Sequence, residues 1–254
     1  MTAPDTAATA VRTRRDGAVL VVSFDRPHKR NAIDLATVRG VRAALRSASR
    51  AEEVRAVVLT GTPVFSAGAD IGTYAEGDPA AIATLMDEAN AMCDEIADSP
   101  APVVAAVEGV ALGGGFECVL ACDLVVAAED ARFGLPEVGL GLLPGWGGTQ
   151  RLTAQIGPRR AKAIILLGDR LDAATAADLG LVTTVCASGD ALAVATTIAE
   201  RLAALPARAV AEACRAIDLA PHGRREERAA LDRLFATTEA ADAIRAFVEK
   251  RSSR

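Results

Sequence analysis

Histidine is scarce in this sequence, with only His28 and His222 among 254 residues. A metal site built on histidine, or a triad that uses histidine as its base, therefore has almost no candidates. Cysteine adds little, because the five cysteines lack the short spacings of metal sites. Cys118 and Cys122, four residues apart, favour packing on one helix over metal binding. We expect no metal centre.

Long apolar runs and aromatic side chains are also missing. No apolar run approaches the length of a membrane span, and residues 1–15 lack the apolar segment of a secretory signal. Aromatic residues make up 3% of the chain against 51% hydrophobic residues, so the core must be mainly aliphatic. A net charge of −5 argues against nucleic acid as the main partner. We expect a soluble, cytoplasmic protein that binds neither nucleic acid nor membrane.

Strand-like and helix-like segments alternate along most of the chain. Runs rich in β-formers occupy residues 18–24, 54–60, 102–107, 123–128, 131–134 and 182–185. Helical patterns occupy residues 35–49, 81–98, 116–121, 149–156, 159–167 and 173–179, and residues 66–79 are expected to form a loop. This alternation predicts an α/β fold.

The pattern changes near Gly189, after which every segment indicates helix. We predict a flexible lead-in over residues 1–15, an α/β core with the active site over residues 16–190, and a helical region over residues 191–254. A terminal block of helices without strands is more often an interface element than an independent domain.

The segment Ala-Leu-Gly-Gly-Gly-Phe-Glu at residues 111–117 follows a strand and opens a helix. Glycines at such a junction permit positive φ and close approach of a ligand to the backbone. The first helical turn offers unpaired N–H groups to negative charge. Glu117 would repel a phosphate there but could move protons beside an oxyanion. The alternative is tight helix–sheet packing with Glu117 exposed.

Two other segments carry candidate chemistry. In the first, Gly68 could turn the Ala69 N–H into a cavity, or Asp70 could simply cap a helix. In the second, Glu137 lies among apolar residues and glycines, and burial would favour its protonated form, which suits a general acid. The alternative for Glu137 is an ordinary acid on a surface loop.

The order and spacing of these three segments resemble the crotonase superfamily, and its enoyl-CoA hydratase branch in particular. The resemblance extends from Asp-Arg-Pro at residues 25–27 and Asn-Ala-Ile at 31–33 to Ala-Phe-Val-Glu-Lys-Arg at 246–251. It implies a spiral of repeated ββα units followed by C-terminal helices that mediate oligomerisation, as a homotrimer or a homohexamer.

The resemblance also implies roles for individual residues. The Ala69 and Gly114 N–H groups would form an oxyanion hole for the carbonyl of an acyl-CoA thioester, and Glu117 and Glu137 would be the catalytic carboxyls. Coenzyme A would belong to the substrate, so no separate cofactor is expected. Contacts to the substrate or its CoA moiety would come from His28, Lys29, Arg30, Ala32, Ala67, Gly68, Asp70, Ile71, Leu112, Gly113, Pro136, Trp146 and Lys250.

Several positions depart from the family pattern. Gly72 and Thr73 stand where many members have a CoA-binding lysine, and Leu231 stands where an aromatic residue often stacks near adenine. Trp146 replaces a small residue, either to fill the core or to narrow the acyl pocket.

Carboxylates at both positions favour hydration of trans-2-enoyl-CoA over isomerisation, because relatives that only shift the double bond can work without the one at Glu117. An enoyl-CoA isomerase, another CoA-thioester reaction, and a non-catalytic acyl-CoA binding protein remain the alternatives.

Overall fold

The computed structural model describes residues 10–220 and 222–252, with side chains for all of these except residues 76 and 247–252. The strands are β1 (Val11–Asp16), β2 (Val19–Phe24), β3 (Ala56–Gly61), β4 (Val103–Val107), β5 (Val110–Leu112), β6 (Leu124–Ala128), β7 (Arg132–Gly134), β8 (Leu171–Asp172) and β9 (Thr184–Cys186). The helices are α1 (Leu35–Arg50), α2 (Ile71–Glu76), α3 (Pro79–Ala97), α4 (Gly114–Ala121), α5 (Gly148–Ile156), α6 (Pro158–Leu167), α7 (Ala173–Asp178), α8 (Ala191–Ala203), α9 (Ala207–Asp218), α10 (Arg224–Phe235) and α11 (Thr238–Ser252).

A six-stranded sheet with the order β1-β2-β3-β4-β6-β9 forms the centre of the molecule. Only β1 and β2 pair antiparallel, and every other neighbouring pair in this sheet is parallel. Every residue of β3 and β4 is buried, as expected for parallel strands covered on both faces. The predicted α/β fold is confirmed.

A second sheet, with the order β5-β7-β8, builds the frame of the glycine turn. β4 and β5 are followed by α4, and β6 and β7 are followed, after a loop, by α5. These two units are repeats of the ββα type that the family resemblance implies. The sequence pattern alone did not predict β5, because a strand of three residues is too short to show a period.

The two faces of the main sheet are covered differently. The larger apolar cluster includes α1, α3 and α4 and contains Phe24, Phe65, Phe116, Phe133 and Trp146. On the other face α8 packs against β3, β4 and β6 through Ala191, Ala195, Ala199 and Ala203. Alanines four residues apart form a flat stripe that lets the helix lie close to the strands.

Three predicted boundaries need correction. α8 completes the core, so the core extends beyond residue 190 into the predicted C-terminal region. Most of β1 lies within the predicted lead-in, where it forms an ordered strand that pairs with β2. Residues 1–9 of the lead-in lie outside the described part of the chain. The charged side chains of β1 obscured the strand pattern in the sequence. An edge strand tolerates such charge on its exposed side. Finally, α2 forms within the predicted loop over residues 66–79, capped by Asp70.

The chain ends in α9, α10 and α11, beyond the sheets. None of the described helices is long and apolar enough to cross a membrane.

Replacing Ala195 by leucine should lower the free energy of unfolding by about 1–3 kcal/mol, because the larger side chain overpacks the contact between α8 and the sheet. Ala193 lies on the exposed side of the same helix, and Ala193→Leu should change that free energy by less than about 0.5 kcal/mol. Urea denaturation of both variants measures the difference. Equal effects would show that α8 is not part of the core.

Candidate active site

The glycine turn between β5 and α4 has a backbone that requires glycine. Gly113 adopts φ 50° and ψ −128°, and it caps α4, which begins at Gly114. The Gly113 N–H donates to Gly134 O at 2.9 Å, which ties the turn to β7. Within the described chain, the Gly114 N–H has no acceptor, as expected in the first turn of a helix.

The Gly68 segment lies directly against this turn. Ser66 N donates to Val110 O and Leu112 N donates to Ser66 O, so the segment runs parallel to β5. A Cβ added to Gly68 would lie only 2.8 Å from Leu112 O. The Ala69 N–H also lacks an acceptor among the described residues. The two predicted oxyanion donors therefore lie on adjacent loops with free N–H groups.

Asn31 holds the Gly68 segment in place, a role that was not predicted although Asn31 begins the Asn-Ala-Ile motif at residues 31–33. This buried residue has a left-handed backbone with φ 55°. Its Nδ2 donates to Val64 O at 2.6 Å, and its carbonyl accepts from Ser66 Oγ at 2.8 Å. Ser66 Oγ in turn accepts from the Gly68 N–H at 3.1 Å. This chain of hydrogen bonds fixes the conformation of the loop before Ala69.

Asp70 acts as a helix cap and an ion-pair partner. It accepts from the Gly72 N–H at 3.2 Å, which confirms the capping alternative. Arg26 Nη2 and Lys29 Nζ lie 2.9 Å and 3.1 Å from its Oδ2. Burial alone would raise the pKa of Asp70, but the hydrogen bonds from Arg26 and Lys29 outweigh it and hold this pKa below its ordinary value.

The early loop with the predicted CoA contacts joins the same assembly. His28, Lys29 and Arg30 are exposed, and the Arg30 carbonyl accepts from the Ala67 N–H at 3.0 Å. Ala32 is half-buried, and its carbonyl accepts from Arg26 Nη1 at 2.5 Å. These contacts place the loop beside the Gly68 segment.

Other predicted contact residues lie around the turn. Leu112 is buried, whereas Ile71 is 68% exposed and Pro136 is exposed at the start of a 3₁₀ turn. The side chain of Lys250 lies outside the described residues.

Glu117 is buried on α4, with 2% of its surface exposed, which rules out the exposed alternative. Its Oε1 accepts from the N–H groups of Trp146 at 2.7 Å and Gly148 at 2.8 Å. Burial raises the pKa of Glu117 to about 7, although those two N–H donors lower it. The charge of Glu137 raises this pKa further, and the charge of Arg151 lowers it.

Glu137 faces the other side of the glycine turn. A Cβ added to Gly113 would lie 2.9 Å from Glu137 Oε1. Its Oε2 is buried and has no hydrogen-bond partner in the described part of the chain. Burial raises the pKa of Glu137, and its own backbone N–H lowers it. The expected direction of this pKa shift is therefore confirmed, and two carboxyls of raised pKa flank the turn.

Trp146 links the glycine turn to the loop before α5. The side chain is buried, and only a glycine fits beneath it, because a Cβ on Gly114 would lie 2.5 Å from Trp146 Cε3. Arg151 Nη1 donates to the Trp146 carbonyl at 2.9 Å, and Arg151 Nη2 pairs with Asp94 at 2.7 Å. Arg151 is a second residue whose role the sequence did not predict.

Tyr74 is a third such residue, although it is the only tyrosine in the sequence. It lies half-buried on α2, and its hydroxyl donates to Met86 Sδ at 3.5 Å. Burial raises the pKa of Tyr74, the indole N–H of Trp146 lowers it, and the charges of Glu117 and Glu137 raise it further. Tyr74 therefore lies within electrostatic reach of both carboxyls.

Comparison with known proteins gives a consistent result. A family model described as "Enoyl-CoA hydratase/isomerase" matches residues 14–254. A "Probable enoyl-CoA hydratase" of Rhizobium meliloti (strain 1021) is 38% identical over 243 residues, which cover 93% of this chain and 94% of the relative. A "2,3-dehydroadipyl-CoA hydratase" of Escherichia coli (strain K12) is 37% identical over 244 residues, which cover 94% and 95%.

A solved structure of enoyl-CoA hydratase from Bacillus anthracis superposes with a TM-score of 0.91 at 33% identity, covering 95% of this chain and 96% of that one. The fold, the order of the motifs and these matches agree along nearly the whole chain. The protein belongs to the enoyl-CoA hydratase/isomerase family of the crotonase superfamily.

Proposed function

We propose that this protein is an enoyl-CoA hydratase, which adds water across the double bond of trans-2-enoyl-CoA thioesters to give 3-hydroxyacyl-CoA. The observation that carries the proposal is the pair of carboxyls, Glu117 and Glu137, on either side of a glycine turn with a free N–H group. Hydration needs one group to accept a proton from water and another to supply a proton to carbon. The names of the relatives add support.

The N–H groups of Ala69 and Gly114 would polarise the substrate. The thioester carbonyl oxygen accepts from both, and the negative charge that develops on it during the reaction is stabilised by about 3 kcal/mol per donor. Withdrawal of electrons toward this oxygen makes Cβ electrophilic. Both donors are main-chain atoms, so no side-chain deletion removes them.

Glu117 would act as the base and Glu137 as the acid. Glu117 takes a proton from water as the water oxygen bonds to Cβ, and Glu137 gives its proton to Cα. The family resemblance implies that both transfers take place on the same face of the double bond, as a syn addition. The starting state returns when Glu117 releases its proton and Glu137 regains one, so no proton is gained or lost over the cycle.

The surroundings of the two carboxyls support this division of roles. Two main-chain N–H donors favour the ionised form of Glu117, whereas among the described residues Glu137 receives only its own backbone N–H. Glu117 is already buried and Glu137 is half-buried, so a bound acyl group removes more water from Glu137. Loss of water raises the pKa of Glu137 further and favours its protonated form, which suits the acid.

We also propose that the protein assembles as a trimer or as a pair of trimers. Ile217 on α9 and Leu231 and Phe235 on α10 are exposed apolar side chains that such contacts would cover. Sedimentation velocity should give three or six copies per particle. A monomer at micromolar concentration would contradict this proposal.

Glu117→Gln and Glu137→Gln should each lower kcat for crotonyl-CoA by at least about 100-fold, because each removes one proton-transfer group. Loss of absorbance of the conjugated enoyl thioester measures the reaction. Glu129, an exposed carboxylate after β6, provides the control, and Glu129→Gln should leave the rate unchanged.

The same variants test the alternative reactions. An isomerase would be favoured by two results together. The wild type would hydrate no enoyl-CoA, and Glu117→Gln would still shift the double bond of a 3-enoyl-CoA. Binding of acyl-CoA without any turnover would favour a non-catalytic protein.

The value of kcat/KM should rise as the pH passes upward through about 7, because Glu117 must be ionised to act as a base. Arg151→Gln should move this acidic limb to higher pH, since the Arg151 charge lowers the pKa of Glu117. Arg14→Gln removes a charge from the exposed edge strand and should leave the limb in place. An unmoved limb in Arg151→Gln would show that Glu117 does not control it.

A further inference from the structure

The Trp146 indole lies on the glycine turn that carries the Gly114 N–H. A Cβ added to Gly114 would lie 2.5 Å from Trp146 Cε3 and 2.6 Å from Cη2, and the nearest approach is to Cζ3. All three atoms belong to the six-membered ring. This ring is therefore in direct contact with the Gly114 backbone, and 2% of the residue is exposed.

Two hydrogen bonds hold the backbone of Trp146 in this position. Its main-chain N–H donates to Glu117 Oε1, and its main-chain carbonyl accepts from Arg151 Nη1.

The neighbouring residue Gly145 is fixed as well. The Asn90 amide donates to the Gly145 carbonyl at 2.8 Å, and Met86 Cε lies close to Gly145. The backbone on both sides of Trp146 is therefore held in place, and its indole forms a wall against Gly114.

The position of this wall bears on the acyl group. A thioester carbonyl bound by the Gly114 N–H, with its Cα and Cβ between Glu117 and Glu137, leaves the rest of the acyl chain beginning next to Gly114. The Trp146 indole contacts Gly114 beside the position where the acyl chain begins. We propose that Trp146 closes the acyl pocket, so that the protein acts on short acyl groups such as crotonyl; this inference rests on the proposed function.

The dependence of binding affinity on acyl chain length distinguishes a closed pocket from an open one. Each methylene that a pocket buries strengthens binding by about fourfold. An open pocket therefore binds octanoyl-CoA far more tightly than butyryl-CoA, whereas a pocket closed by Trp146 gains nothing from the additional methylenes.

The first experiment measures binding, independent of the reaction. Isothermal titration calorimetry with butyryl-, octanoyl- and dodecanoyl-CoA is run on the wild type, Trp146→Ala, Trp146→Phe and Leu143→Ala. These saturated thioesters have no double bond to hydrate. Leu143 lies on the same loop, 65% exposed, so it controls for a general change in the loop. Each Trp146 variant retains the main-chain N–H that contacts Glu117.

The second experiment compares kcat/KM for crotonyl-CoA and trans-2-octenoyl-CoA in the same four proteins, after thermal melts show which are folded. Trp146→Phe keeps an aromatic ring at this position and continues the test if Trp146→Ala does not fold.

We expect the wild type and Leu143→Ala to bind octanoyl-CoA no more than about threefold more tightly than butyryl-CoA. Trp146→Ala should shift this ratio toward octanoyl-CoA by at least about tenfold, with Trp146→Phe intermediate. A strong preference of the wild type for octanoyl-CoA, or an unchanged ratio in the variants, would overturn the proposal.

The two experiments separate this inference from the proposed function. If the ratio of affinities for octanoyl-CoA and butyryl-CoA shifts in the Trp146 variants but no folded protein hydrates a substrate, the hydratase function is contradicted. The proposal that Trp146 closes the acyl pocket would still be supported. If the wild type hydrates crotonyl-CoA and octenoyl-CoA with similar efficiency, the hydratase function is supported. The proposal that Trp146 closes the acyl pocket is then rejected.

Discussion

The site depends on one interaction: the Glu117 carboxyl accepts hydrogen bonds from two main-chain N–H groups. It joins α4, which belongs to one ββα unit, to the loop that opens α5 in the next. A buried carboxyl without such partners would be strongly destabilising, so the same contact keeps the group ionisable and fixes its position. Stability and chemistry thus share one hydrogen-bonded group.

Glycine makes this convergence possible by removing side chains where backbones must meet. Gly113 leaves room for Glu137, Gly114 for Trp146, and Gly148 for Glu117, whose Cγ would lie 2.8 Å from an added Cβ. Glu137 and Trp146 can therefore approach the turn and the start of α4, while Glu117 approaches the start of α5. A protein with side chains at these positions could not place both carboxyls and two free N–H groups around one small volume.

The sequence predicted those features that depend on local patterns. The alternation of strands and helices gave the α/β fold, and the distance from Gly114 to Glu117 placed the carboxyl on the first turn of a helix. The features it missed depend on distant segments. Tyr74 and Arg151 come from parts of the chain far from the glycine turn and meet it only in three dimensions. Asn31 was identified as part of a motif, but its hydrogen bond to the Gly68 segment likewise joins distant parts of the chain. β1 was missed because its charges mask the strand pattern.

Trp146 is the only tryptophan in the chain and Tyr74 the only tyrosine. They are neighbours in the site, with the indole N–H beside the phenol. All tryptophan emission from this protein therefore originates next to Gly114 and Glu117. Intrinsic fluorescence reports on events at that location without any label or engineered probe, and energy transfer from the excited phenol to the indole decreases when α2 moves away from the loop before α5.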